Sequence, residues 1–339
     1  MPWSEVAGFP GLAAWCLVHV AIGLVGTWLA RRYALRRRLI DQPGERRSHA
    51  VATPRGGGIA IVASALLAFG WLASAHAMPG AVVAMLAAGL ALVAGIGWLD
   101  DHRPLSPWLR LGVHVVSGSL VGFSIWMQGH SLESAALGFA STVVLINVWN
   151  FMDGIDGLAA SQALLVAAGW ARLAWPHPIA WLLLAVAASS LGFLRFNLPP
   201  ARIFLGDVGS GALGYLLAVG LLWLPAAAVD WSWLAWLPLA AFLVDAALTL
   251  ASRMLHRERW WTPHVRHAYQ RWAVRLGRHA PVSVAYALWT ACAVGTMVLA
   301  RGAGTGGSAV ALATGYAATV VAWAWLNRDR KPRGQQGQS

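Results

Sequence analysis

Residues 137–175 read LGFASTVVLI NVWNFMDGIDG LAASQALLVAAGWARLAW. Two apolar runs, 137–146 and 158–175, enclose a short polar stretch. That stretch carries two amides, Asn147 and Asn150, and two carboxylates, Asp153 and Asp156, each Asp followed by Gly. Glycine allows a tight turn and lets a ligand approach the backbone. Asp and Asn also cap helices and build turns, so by itself the stretch reads equally as a capped turn and as a site.

The rest of the chain repeats the pattern of apolar runs. It has 339 residues, is 58% hydrophobic and only 11% charged, and has a mean hydropathy of +0.59. A soluble domain carries about 25% charged residues. Many runs approach the ~20 residues that cross a bilayer core, where only self-bonded backbone is tolerated. The fold expected is all-α and polytopic, with about eleven spans at residues 9–30, 59–75, 79–99, 109–127, 131–148, 158–175, 179–194, 211–228, 233–252, 282–300 and 308–326. We read residues 1–339 as a single integral membrane domain, with a motif-bearing core at 40–275 and a short basic tail at 327–339.

The net charge is +12, and Lys331 is the only Lys among 25 basic residues. In a soluble protein this would point to nucleic acid; here the positive-inside rule accounts for it and no nucleic acid partner is expected. Eight Arg fall in residues 31–55, seven in 253–278, and Arg328, Arg330, Lys331 and Arg333 in the tail. With Arg103, Arg110, Arg195 and Arg202 they share one side, leaving Arg172 and Arg301 on the other. The expected location is a bacterial inner membrane, N-terminus periplasmic and C-terminus cytoplasmic. No basic region precedes the first span, which argues for an uncleaved helix. Cys16 and Cys292 lie in apolar segments and imply no disulfide framework.

This topology gathers the polar motifs on the cytoplasmic face. Asp100 and Asp101 close the third span; adjacent carboxylates repel unless a cation or donors offset them, and Mg²⁺ takes one or two carboxylates plus substrate phosphates. A solvated helix end is the plain alternative. Gly206-Asp207-Val-Gly209-Ser210 precedes a helix, whose amides can hold an anion; a re-entry turn uses the same residues. Arg46, Arg47, Ser48, His49 and Thr53-Pro54-Arg55-Gly56-Gly57-Gly58 form a basic, glycine-rich loop suited to phosphate or to lipid contact. His264, Arg266 and His267 lie in a late loop with Trp260, Trp261 and Trp272, which also suit the lipid boundary; zinc would need a third ligand. Asp245 is an intramembrane acid, with Arg253 as a candidate partner.

Together these stretches resemble the polyprenyl-phosphate N-acetylaminosugar-1-phosphate transferases, the WecA- and WbpL-like members of the MraY superfamily (glycosyltransferase family 4). The matching residues are Arg47-Ser-His49 with Thr53 to Gly58, Gly97-Trp-Leu-Asp-Asp-His102, the 147–159 stretch, Asn197 with Ile203-Phe-Leu-Gly-Asp-Val-Gly-Ser210, and the HxxHxYQR-type His264 to Arg271. The resemblance implies transfer of N-acetylhexosamine-1-phosphate from a UDP-sugar to undecaprenyl phosphate, releasing UMP, with Mg²⁺ (Mn²⁺ as the substitute) as cofactor. The last motif implies initiation of O-antigen and cell-envelope polysaccharide synthesis, and the family is compatible with a homodimer. It makes Asp207 and Asn150 metal-site residues. Asp100, Asp101, Asp153, Asp156, His264 and His267 become catalytic, and Arg55, Asn147, Asn150, Asn197 and Arg266 substrate-binding.

A lipid phosphate, whose second pKa is about 6 by analogy with phosphorylated side chains, is already largely dianionic at pH 7. Asp100 and Asp101 therefore suit a metal or positioning role better than that of a strong base. The main alternative is a polytopic transporter of a phosphorylated or anionic solute, which should place acids near the midplane; only Asp245 comes close. A CDP-alcohol phosphotransferase would need an Arg and a later Asp pair that Asp156-Gly-Leu-Ala-Ala lacks.

Overall fold

The computed structural model describes residues 9–42, 52–225, 232–259, 261–262 and 264–328. Arg46, Arg47, Ser48 and His49, Trp260, and the tail residues Arg330, Lys331 and Arg333 lie outside them. The helices are α1 (Phe9–Arg37), α2 (Ile59–Ser74), α3 (Gly80–His102), α4 (Pro107–Trp126), α5 (Leu132–Phe151) and α6 (Leu158–Ala174). They continue as α7 (Ile179–Asn197), α8 (Asp207–Leu222), a 3-10 helix (Ser232–Leu239) leading into α9 (Ala240–Leu255), α10 (Ala268–Leu276), α11 (Ala280–Leu299) and α12 (Gly304–Asn327). The only sheet among the described residues is a two-residue antiparallel pair, β1 (Ile40–Asp41) with β2 (Thr53–Pro54).

Among the described residues, eight helices are long and apolar enough to cross a membrane, the 3-10 helix and α9 counting together as Trp233–Leu255; α2, α6 and α8 are shorter apolar helices. The chain is an all-α, multi-pass membrane protein; three of the eleven expected spans fall on these shorter helices. At 1.5 Å per residue the 29 residues of α1 reach about 43 Å, beyond a hydrocarbon core of about 30 Å, so its last turns carry Arg31, Arg32, Arg36 and Arg37 out of the lipid.

The bundle is built around α8, every residue of which from Val208 to Leu221 is buried. It packs chiefly on α3 and α5. Lipid supplies no hydrophobic drive between helices, so close approach through small residues does the work. A Cβ on Gly214 would lie 2.3 Å from the Leu145 carbonyl oxygen of α5, and one on Gly97 would lie 2.4 Å from the Asp207 carbonyl oxygen.

Helix ends differ from those read by hydropathy. α3, α5 and α7 run on through His102, Phe151 and Asn197, and α8 begins at Asp207. The backbone bonds of a helix close whatever the polarity of the side chain, whereas hydropathy marks only where lipid contact stops. The consequence is functional: Asp100, Asp101, Asn147, Asn150, Asn197 and Asp207 sit on rigid helix termini, not in loops.

Candidate active site at one end of the helix bundle

The Thr53 to Gly58 segment runs alongside Ile203 to Gly206. Phe204 N–H donates to the Pro54 carbonyl (2.8 Å), Gly57 N–H to Phe204 (2.9 Å) and Gly58 N–H to Leu205 (2.9 Å). This pairing brings Arg55 to Asp101: its guanidinium donates to the Asp101 carbonyl and its Nε lies 3.7 Å from Asp101 Oδ1.

Asp101 is buried, and its carboxylate caps α8 from another helix. Asp207 N–H donates to Oδ1 (3.1 Å) and Val208 N–H to Oδ2 (3.2 Å). The first amides of a helix have no intrahelical acceptor and carry partial positive charge, so a carboxylate is stabilised there. The turn that permits this is Gly206 at φ 76°, where a Cβ would lie 2.5 Å from Asp101 Oδ2. Asp100, its neighbour, points elsewhere: Oδ1 accepts from Leu105 N–H (2.6 Å) and Oδ2 from Arg110 (2.9 Å). The same Arg110 nitrogen reaches Asp207 Oδ2 at 2.5 Å. One arginine thus bridges acids from α3 and α8.

Asn150 closes the next side, donating through Nδ2 to Ser210 Oγ (3.0 Å), which leaves its carbonyl oxygen free of that bond. Asp153 follows in the turn between α5 and α6. Burial pushes its carboxyl well above the ordinary range, and the charges of Asp207, Asp101 and Asp156 push the same way. Asn147 sits one turn back on α5, its Nδ2 donating to Val143 O (2.8 Å).

Asp156 and Asn197 hold the turn together. Asp156 Oδ2 accepts from Ala201 N–H (3.0 Å) and Oδ1 lies 3.1 Å from His279 Nδ1, while its carbonyl accepts from Ser283 Oγ (2.7 Å). Asn197 accepts from Gly157 N–H (3.0 Å) and donates to Ile203 O (3.0 Å), both through its side-chain amide. It thereby locks the Asp156 turn to the segment leading into α8.

The late loop closes over this end. Tyr269 donates to Phe151 O (3.0 Å), and a Cβ on Gly154 would lie 2.2 Å from the Tyr269 hydroxyl. His267 is the N-cap residue of α10, its N–H donating to Gln270 Oε1 (3.3 Å), and is buried, its Nδ1 3.6 Å from Asp245 Oδ1. His264 is half-buried and tilted against His267, ring centres 4.9 Å apart. Burial, then the neighbouring His267, Arg253 and Arg266, depress its pKa to about 4. Arg266 is exposed and paired with Glu258. Arg253 bonds Glu258 and the Arg259 and Thr262 carbonyls, not Asp245 as the sequence suggested.

The structure thus brings Arg55, Asp100, Asp101, Asn150, Asp153, Asp156, Asn197 and Asp207 to one end of the bundle, with the His264 loop beside them through Tyr269. Arg110 and His279 enter without having been singled out, and Ser210, read as part of the Gly206 to Ser210 stretch, is placed on Asn150. Arg110 could have been found as the first cation after Arg103 on the helix following Asp100 and Asp101; His279 carries no such signal. Among the described residues no three acids, cysteines or histidines already stand at metal-holding spacing. The acids outnumber Arg55 and Arg110 nonetheless.

Residues 82–224 match the family model described as glycosyl transferase family 4. The chain resembles that family. The matched segment holds Asp100, Asp101, Asn147, Asn150, Asp153, Asp156, Asn197 and Asp207, while Arg55 and the His264 loop lie outside it. The chain is 32% identical over 221 residues to a probable undecaprenyl-phosphate N-acetylglucosaminyl 1-phosphate transferase of Bacillus subtilis, covering 60% of each. It is 31% identical over 249 residues to the decaprenyl-phosphate N-acetylglucosaminephosphotransferase of Mycobacterium leprae, covering 64% of this chain and 61% of that one. It is 31% identical over 238 residues to the phospho-N-acetylmuramoyl-pentapeptide-transferase of Acaryochloris marina, covering 60% and 62%. The family model and these relatives bear out the resemblance carried by the motifs. The aligned region spans about 60% of the length of these relatives.

Proposed function

We propose that this protein transfers N-acetylhexosamine-1-phosphate from a UDP-sugar to a polyprenyl phosphate such as undecaprenyl phosphate, releasing UMP. The observation that carries the reading is the Arg110 bridge between Asp100 and Asp207, beside Asp101, Asp153 and Asn150, at one end of a membrane bundle. A diphosphate needs cationic and donor groups at fixed positions, and phosphoryl transfer is mostly positioning and charge neutralisation. The names of the relatives support the same reaction class.

In the proposed reaction a lipid phosphate oxygen attacks the β-phosphorus of the UDP-sugar. The bond from that phosphorus to the bridging oxygen breaks, and UMP leaves with the electron pair. Arg55 and Arg110 lie where they can hold phosphate oxygens. In this reading the His264 loop, with Arg266, contacts the sugar or the diphosphate. Asp101 and Asn197 act through the backbone, the first by holding α8 and the second by holding the Asp156 turn.

The donor set fits a hard divalent cation. Asp207, Asp100, Asp153 and the Asn150 carbonyl offer only oxygen, with a surplus of negative charge, and these are Mg²⁺ preferences. Asp207 and the Asn150 carbonyl would hold Mg²⁺ or Mn²⁺, with Asp207 exchanging Arg110 for it. When bound, such an ion neutralises the diphosphate and the departing UMP.

The arginine distribution supports an inner-membrane enzyme with its N-terminus periplasmic and its site cytoplasmic, where a UDP-sugar is available. The HxxHxYQR form of the last motif supports a role in starting O-antigen or related envelope polysaccharides. Purified protein with Mg²⁺, undecaprenyl phosphate and a panel of UDP-N-acetylhexosamines should release UMP with at least one of them; no UMP with any sugar overturns the reading. The transporter alternative gains nothing from Asp245, whose carboxylate is enclosed by donors.

A further inference from the structure

Asp245 lies in α9, inside the span, with only 2% of its surface exposed. A lone buried carboxylate is costly unless hydrogen bonds offset it, and this one is offset on every side. Oδ1 accepts from Ala268 N–H (2.9 Å), Thr249 Oγ1 (3.1 Å) and Trp323 Nε1 (3.2 Å). Oδ2 accepts from Tyr269 N–H (3.2 Å) and the Tyr286 hydroxyl (3.2 Å). One side chain therefore ties α9 to α10, α11 and α12. Two of its five donors are the first amides of α10, which follow directly on the His264, Arg266 and His267 loop.

We propose that Asp245 is a positioning residue that fixes the His264 to His267 loop over the carboxylate cluster by capping α10 from another helix. The inference rests on the transferase reading for its consequence but not for its geometry. Two contacts carry the position onward: His267 lies at the cap itself, and Tyr269 reaches the Phe151 carbonyl and fills the space at Gly154, next to Asp153. The arrangement matches Asp101, which caps α8 and so places Asp207. Each end of the site is thus set by a buried acid on a neighbouring helix, and the second pair lies outside the glycosyl transferase family 4 match. Simple filling of the bundle does not require an ionisable group here, since an amide or apolar side chain occupies the same volume.

The test uses the full chain and two readouts. Asp245→Asn keeps the shape but turns an NH₂ group toward one set of donors. Amide exchange at Ala268 and Tyr269 should accelerate about tenfold or more, the size of a lost charged hydrogen bond, with α9 unchanged. In the UMP-release assay the KM for the UDP-sugar should rise about fivefold or more, with the KM for polyprenyl phosphate within about twofold. Tyr286→Phe, which loosens the carboxylate while leaving it in place, should show the same signs at about threefold in exchange, and serves if the first variant does not fold. Unchanged exchange overturns the cap. Faster exchange with both KM values unchanged, or changed alike, overturns the positioning role. If the wild type releases no UMP, the transferase reading fails while exchange still judges the cap.

Discussion

Asp245 and Asp153 are both acids set into a membrane bundle, and their surroundings are opposite. Asp245 receives five donors and ties four helices. Asp153 has Asp207, Asp101 and Asp156 as its charged neighbours. The first arrangement satisfies a charge and builds structure. The second accumulates charge that the chain does not neutralise by itself, which is the condition for recruiting a cation or a cationic face of a substrate complex. Asp101 stands between the two, capping α8 while facing the cluster.

The contrast is broken most severely at Asp207. Asp207→Asn should leave the fold intact, because the α8 cap uses the backbone amide of residue 207, yet lower turnover by about 10²–10³-fold, as for loss of a transition-state contact. UMP release from protein of unchanged melting temperature checks this; retention of near-wild-type turnover would remove Asp207 from the site. Arg110→Gln comes next. It leaves Asp100 and Asp207 facing each other without their bridge, a loss of roughly 3–5 kcal/mol for a fully buried pair and less here, where the Arg110 side chain is 28% exposed. The melting temperature should fall in chelator and be restored by Mg²⁺ more than in the wild type. Equal Mg²⁺ responses would mean that the ion does not compete with Arg110.

Two pH effects are smaller and opposite in sign. The Asp153 carboxyl is raised in the folded state by burial and by its acidic neighbours, so the folded protein keeps a proton that the unfolded chain loses near pH 3.9. Stability therefore falls as pH rises from about 4 toward the raised value. Asp153→Asn should flatten that decline in melting scans made in chelator; an unchanged slope refutes it. His264 runs the other way. Its folded pKa is about 4, below the 6.5 of an unperturbed imidazole, so the unfolded chain takes a proton first. Stability is lost as pH falls from about 6.5 toward 4, and His264→Gln should remove this part of the acid sensitivity. The effect is the smallest because His264 is only half-buried and solvent screens it.

Much of this was legible in the residues. Span number follows from apolar run length, because the bilayer sets one length scale. The motif acids could be singled out because an apolar chain has so few of them. The Arg110 bridge, the Ser210 bond to Asn150 and the His279 contact were not legible, since each depends on a partner far away in the chain, and single-chain spacing carries no trace of it. Asp245 shows the same limit: Arg253 lies two turns along the same helix, but four of the five donors chosen are 23, 24, 41 and 78 residues away.

The amino-acid sequence by itself determined that this is a multi-pass helical membrane protein with its rare acids and glycines gathered into a few short stretches. Both properties are local, set by run length and residue type. Only the tertiary structure decided that Asp100 and Asp101 turn to different partners, that Asp101 and Asp245 each cap a helix other than their own, and that Arg110 joins α3 to α8. The physical reason is that a carboxylate in a low-dielectric bundle takes whichever donors packing brings within about 3 Å, and packing is a property of all the helices together.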